Sequence, residues 1–271
     1  PDAALLRSSR VSSPSPPLLA CRDLTRRFGG LLALDRFSFE LMEGEILGLI
    51  GPNGSGKTTF FNVLTGFYRA SAGEAWFGGQ PITNLRPQEI YRAGISRTFQ
   101  RSRLCLSLSL FDNIMIGNHK RLNHGPWANL LQRSRLRGEV DRGVAEAREL
   151  VGIFDRQLCE RLRVPAATIS LIERRRVEIC RALISRPRLL LLDEPSAGMT
   201  SEETTRLMDD ILEVKRKFGR LTIILIEHQM SVIERCTHRC IALDYGRKVS
   251  EGSYASVAAN PLVRQAYLGI S

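Results

Sequence analysis

The sequence predicts an α/β protein built on a parallel sheet covered on both faces, and three observations lead there. Apolar runs at residues 45–50, 189–192 and 221–226 alternate with stretches of helical spacing, the pattern of buried parallel strands joined by helices. Gly51-Pro52-Asn53-Gly54-Ser55-Gly56-Lys57-Thr58 fills every slot of G-x-x-x-x-G-K-[ST] between the first run and a helix closed by Gly66. From about residue 101 to 168 the strand signals stop, and Val144, Ala147, Leu150 and Val151 fall at helical spacing.

The elements follow in order. Residues 1–17 end in Ser12-Ser13-Pro14-Ser15-Pro16-Pro17 and read as a flexible tail. Two strands, 19–28 and 33–41, precede the loop strand at 45–50, and Phe37, Phe39 and Leu41 alternate in the second. After the loop helix come a strand at 73–77 turned by Gly78-Gly79, and a short strand at 95–99. The helical insert occupies 101–168. Within it, residues 123–137 carry Trp127, Leu130 and Leu131 among arginines and read as a packing helix or as a membrane-surface helix. A helix to Ile184, the strand 189–192, a helix to about Lys217 ended by Gly219, and the strand 221–226 resume the alternation. A hairpin at Asp244-Tyr245-Gly246 and a tail helix close the chain. The core is thus 18–100 with 169–271, and the insert is 101–168.

The chain of 271 residues has 43% hydrophobic content, enough for a sizeable core. Its net charge of +11 suits an acidic partner: nucleotide, nucleic acid or an anionic surface. The basic residues are nearly all arginine and scattered, which also fits a solvated surface. The six cysteines contain no CxxC pair, as expected of a reducing, cytoplasmic setting. Cys236 and Cys240 sit where their side chains face a core rather than a shared metal. No run approaches the ~18 apolar residues of a membrane span.

The chemistry is carried by two motifs. In the loop, glycines let backbone amides curl around phosphates, the helix dipole favours negative charge, Lys57 reaches the β/γ oxygens and Thr58 can hold Mg²⁺. Gly51, Asn53, Gly54, Ser55, Gly56, Lys57, Thr58 and Thr59 are accordingly assigned to ATP. Four leucines then lead into Asp193-Glu194-Pro195. Asp193, at the end of a buried strand, is placed to orient Mg²⁺ through water, and Glu194 to polarise the attacking water.

With both motifs in hand, the chain from about Leu18 onward resembles the nucleotide-binding subunit of an ABC transporter. The resemblance implies a RecA-like P-loop NTPase core with a mixed sheet, an antiparallel β subdomain and an inserted helical subdomain. It also implies that Gln100, in Arg97-Thr98-Phe99-Gln100, senses the γ-phosphate, touches Mg²⁺ and marks contact with the transmembrane partner. His228, in Leu225-Ile226-Glu227-His228, matches the switch histidine, and Phe28 the aromatic that stacks on adenine. Phe28-Gly29-Gly30-Leu31, Arg97-Thr98-Phe99-Gln100, Ile226-Glu227-His228 and Ala266-Tyr267-Leu268-Gly269 are most similar to high-affinity branched-chain amino acid uptake subunits. The implied setting is the cytoplasmic face of the membrane. The implied partners are permease subunits, a second ATP-binding subunit and, indirectly, a solute-binding protein, with no direct nucleic acid.

One motif departs from the family. The signature peptide, which closes over the phosphate held by the other subunit, here reads Ile169-Ser170-Leu171-Ile172-Glu173. Serine is present as a phosphate-facing candidate, and Ser170-x-x-Glu173 also forms a capping box. Ile172 replaces the glycine, and a β-branched residue resists both close approach and glycine's backbone angles. Gln229 stands where the family often has Asp. Met199-Thr200-Ser201 replaces Leu-Asn-Pro, with Thr200-x-x-Glu203 as a further capping box. The chain is expected to complete its own site and to donate a weak signature to a different partner. Two other readings stay open: a regulatory subunit with little hydrolysis, and a soluble ABC ATPase acting on nucleic acid.

Overall fold

The computed structural model describes residues 16–100, 103–118 and 133–268. The tail expected over 1–17 falls outside these residues up to Ser15, and so does the stretch 123–137 up to Gln132. Gly269 also lies outside. Strands β1 (Leu19–Phe28), β2 (Leu31–Leu41), β4 (Ala72–Phe77) and β5 (Gln80–Pro81) form a four-stranded antiparallel sheet in the order β2-β1-β4-β5. A second, six-stranded sheet is ordered β10-β9-β3-β8-β7-β6. Its members are β3 (Ile46–Ile50), β6 (Ile95–Arg97), β7 (Leu189–Asp193), β8 (Thr222–Ile226), β9 (Arg239–Asp244) and β10 (Arg247–Gly252). All neighbours run parallel except the β9–β10 hairpin, so the sheet is mixed.

Strand periodicity explains why both faces are covered. Leu47, Leu49, Leu189, Leu191, Ile224 and Ile226 enter one apolar cluster, while Ile46, Ile50, Leu190, Leu192, Ile223 and Leu225 enter the other. In the first cluster helix α1 (Lys57–Leu64) is wedged between the two sheets. Its Phe60 meets Phe37 of β2 edge-on at 5.1 Å. The residues that open α1 therefore rest on a rigid platform.

Most helices of the middle of the chain cover the other face. Helix α2 (Pro87–Ala93) buries Ile90 in the first cluster, whereas α3 (Leu110–Ile116), α4 (Arg133–Phe154) and α5 (Arg156–Glu160), which precede α6 (Leu171–Leu183), pack into the second. The helical spacing read from the sequence holds: Ala147, Leu150 and Val151 are buried with Val177 and Leu183 of α6, and Val144 is half-buried. Helices α6 and α7 (Ser201–Phe218) both begin with the expected capping boxes, Ser170/Glu173 and Thr200/Glu203. Helices α8 (Met230–Cys236), α9 (Tyr254–Ala259) and α10 (Pro261–Leu268) complete the chain. Cys236 and Cys240 both point into the core.

Arg176 bridges α5 and α7. Arg176 of α6 donates to Asp155, the N-cap of α5, at 3.1 Å and to Asp210 of α7 at 2.9 Å. Burial outweighs the guanidinium at Asp210 and pushes its carboxyl up to about 6. An unfolded aspartate loses its proton near ~4, so the folded chain holds an extra proton between these values. The resulting stabilisation is full below ~pH 4 and is lost as pH rises through about 6. Asp210→Asn is expected to flatten this slope, seen as a smaller change in urea midpoint between ~pH 4.5 and ~pH 7. An unchanged slope in the variant contradicts the assignment.

Candidate active site

The loop of residues 51–56 leaves the carboxyl end of β3 and enters α1, the strand-to-helix turn expected of an anion site. Gly51, Gly54 and Gly56 have φ of +149°, +81° and +108°. A Cβ on Gly51 would lie 2.2 Å from the Leu243 carbonyl oxygen, and one on Gly56 2.6 Å from that of Ala33, so both positions require glycine. Lys57 is buried, and its Nζ donates to the carbonyl oxygens of Gly51 at 2.7 Å and Pro52 at 3.0 Å. Burial pulls its pKa down, while Glu194 and Asp193 oppose the shift. The hydroxyl of Ser55 is buried without a partner among the described residues, Thr59 is half-buried, and Asn53, Gly54 and Thr58 are exposed.

Opposite the loop stands Asp193, 2% exposed at the end of β7. Arg97 at the end of β6 donates Nη2 to its Oδ2 at 2.6 Å and Nη1 to Asn62 Oδ1 at 2.7 Å. Burial raises the Asp193 carboxyl, and Arg97 counters it. The Asp193 Oδ1 is buried and has no hydrogen-bond partner among the described residues. Thr58, Asn62, Arg97, Gln100 and Asp193 together line a cleft of about 340 Å³. A free carboxylate oxygen, a hydroxyl and a side-chain amide around one cleft are hard oxygen donors, and they fit Mg²⁺.

Glu194 links this cleft to two loops. Its Oε2 accepts from Gln100 Nε2 at 2.6 Å, and its Oε1 lies 2.7 Å from His228 Nε2. A carboxylate only accepts, which assigns the hydrogen to Nε2. Residue 194 itself has φ +48°, and its N–H donates to Ile226 at the end of β8. The parallel strands β6, β7 and β8 thus deliver Gln100, Asp193–Glu194 and His228 to one edge of the sheet.

Three supporting residues escaped the sequence reading. Arg97 is one. Arg175 of α6 is another: it donates to the backbone oxygens of Phe99 and Gln100 and pairs with Glu178, so the helix headed by the signature peptide holds the Gln100 segment. The third, Glu227, accepts from the Ser196 and His228 amides and staples the segment after Glu194 to the histidine loop. Arg97 and Arg175 are buried, whereas a scattered arginine content reads as a solvated surface.

Two candidates stand apart from this network. Phe28 is 36% exposed on the antiparallel sheet, edge-on to Tyr68 and capped by the Arg26 guanidinium at 4.2 Å. Its register partner Leu31 lines the cleft beside Asn53 and Gly54. Ser170 caps α6 through its bond with Glu173 N, and Glu173 is further held by Arg161. Ile172 lies in the helical first turn of α6, outside the left-handed region. The expected backbone misfit is therefore corrected: an α-helical position suits any L-residue, and only the side-chain bulk distinguishes Ile172 from glycine.

Comparison with known proteins finds relatives over nearly the whole chain. The profile of the family described as ABC transporter matches residues 34–197, and one described as branched-chain amino acid ATP-binding cassette transporter matches residues 247–270. The chain is 37% identical over 258 residues to the high-affinity branched-chain amino acid transport ATP-binding protein LivG of Salmonella typhimurium, covering 94% of this chain and 99% of the relative. It is 35% identical over 257 residues to BraF of Pseudomonas aeruginosa, with the same name and coverage. Among solved structures, a nucleotide-free ATP-binding cassette from an ABC transporter superposes with a TM-score of 0.80 at 29% identity, over 94% of this chain and 100% of that one. A nucleotide loop, an acidic strand end and the segments that join them all fall within these matches, and the chain belongs to the ABC transporter family as an ATP-binding subunit.

Proposed function

We propose that the chain binds MgATP at residues 51–58, hydrolyses it when closed against a second ATP-binding subunit, and so drives amino acid import through a membrane permease. The observation that carries this reading is Glu194 held on both oxygens, by Gln100 and His228, beside Asp193 and the loop. A carboxylate so oriented is a general base for the attacking water, and His228 keeps it aimed and stabilises the charge that develops. Lys57 would transfer its hydrogen bonds from the Gly51 and Pro52 carbonyls to phosphate oxygens, which the loop amides would also bind. Thr58, the free oxygen of the Gln100 amide, and Asp193 through water are the residues that would hold Mg²⁺. When bound, the ion neutralises the β/γ oxygens. Phe28 would leave its packing on Tyr68 to face adenine.

The solute class, branched-chain or another amino acid, comes from the names of the relatives. Among the described residues no helix is long and apolar enough to cross a membrane. The chain's likeness to transport ATP-binding proteins supports action at the cytoplasmic face through permease subunits, with a solute-binding protein delivering the cargo. Ser170 and the first turn of α6 would face the phosphate of the other ATP-binding subunit. Ile172 carries four side-chain carbons where a glycine amide would approach a phosphate. Overpacking of this kind costs about 1–3 kcal/mol. In the assembled transporter, Ile172→Gly is expected to raise ATP turnover by roughly tenfold. Turnover that does not change contradicts the weak-signature reading.

A further inference from the structure

A contact with the loop of residues 51–58 has no part in the hydrolysis proposed above. The N–H of Gly51, at the junction of β3 and the loop, donates to the hydroxyl oxygen of Tyr267 on the last helix, α10, at 2.6 Å. The carbonyl oxygen of the same glycine accepts from Lys57 Nζ. Both backbone groups of Gly51 are thus tied, one to the tail and one to the loop's own lysine. A Cβ on Gly51 would collide with the Leu243 carbonyl of β9, so no side chain fits there.

Helix α10 is placed to hold this contact. Val263 on α10 is buried in the core cluster together with Val257 of α9. Leu262, Gln265 and Ala266 line a cleft of about 640 Å³ against Asn53, Gly54 and Ser55, so the helix stands over the outer wall of the loop. Tyr267 reaches across to the one amide that sets the direction in which the loop leaves its strand. An amide fixed at a strand end preorganises the peptides that follow it, and preorganisation reduces the ordering cost of binding.

We propose that α10 is a strap on the phosphate loop and that Tyr267 is a positioning residue for nucleotide binding. The idea rests on residues 51–58 being the nucleotide loop. The test is ATP binding by Tyr267→Phe in the full chain, which keeps the ring and removes the hydroxyl. A neutral hydrogen bond of this kind corresponds to roughly a three- to tenfold rise in the ATP dissociation constant. The melting temperature of the nucleotide-free protein should stay within ~3 °C of the parent. Hydrogen exchange at Gly51 and the next loop amides should accelerate without nucleotide.

A purely structural role would lower the melting temperature and leave the dissociation constant alone. A dissociation constant within twofold of the parent, or unaltered loop exchange, overturns the proposal. Lys57→Ala separates the two levels of the account. If it abolishes binding while Tyr267→Phe changes nothing, only the strap is wrong. If Lys57→Ala still binds ATP normally, the loop assignment fails and the strap falls with it.

Discussion

Glu194→Gln is expected to lower ATP turnover in the assembled transporter by about two to four orders of magnitude while ATP binding stays within roughly threefold of the parent. The glutamine keeps the size and shape of the carboxylate and fits the same strand end, where φ is +48°. It can still accept from Gln100 Nε2 through its oxygen, which leaves the Gln100 oxygen free, and its NH₂ can donate to His228 Nε2 once the imidazole carries its hydrogen on Nδ1. What it loses is the capacity to take a proton from water. Binding energy resides in the loop, Lys57 and the metal-facing groups, none of which the change touches. Single-turnover hydrolysis measured beside equilibrium binding separates the two effects. Turnover within tenfold of the parent would remove Glu194 as the base.

Arg97→Ala is expected to destabilise the fold by about 3–5 kcal/mol, the scale for stranding a buried charge. The side chains of Arg97 and Asp193 are 5% and 2% exposed. The guanidinium also satisfies Asn62 and lies 5.2 Å and 5.0 Å from the ring centroids of Phe61 and Phe99. Without it Asp193 keeps its desolvation and loses its only ionic contact at hydrogen-bond distance among the described residues. Replacing both charges, as Arg97→Met with Asp193→Asn, should recover much of the loss because no buried charge remains. Urea unfolding of the two variants and the parent checks this. A loss below ~1 kcal/mol for Arg97→Ala would mean that water or another cation takes the place of Arg97.

How much of this was legible in the sequence depended on the range of the signal. The strands with Leu47, Leu191 and Ile224 announce themselves because both faces are apolar, and the loop because Gly51 and Gly56 must be glycine. The strand-end motif names Glu194 and the family resemblance names Gln100 and His228, yet their mutual hydrogen bonds join residues 94 and 34 positions apart. No local pattern encodes such pairs. Arg97 and Arg175 were absorbed into a general arginine excess because their partners, Asp193 and the Gln100 carbonyl, are brought to them only by the sheet and by α6. The short helix α2 carries Pro87 at its start and a Glu89 bond to the Arg86 amide, signals too brief to stand out beside the neighbouring strands. At Ile172 the sequence suggested a backbone conflict, and the helical turn around it removes that conflict while leaving the bulk.

The most direct measurement is ATP hydrolysis by the chain alone and in complex with its permease and second ATP-binding subunit, with Glu194→Gln as the blank. The account predicts ATP binding by the isolated chain, slow turnover alone, and turnover at least about tenfold faster in the complex that Glu194→Gln abolishes. Hydrolysis equally fast without the second subunit, or insensitive to Glu194→Gln in the complex, would contradict a composite site built on this loop.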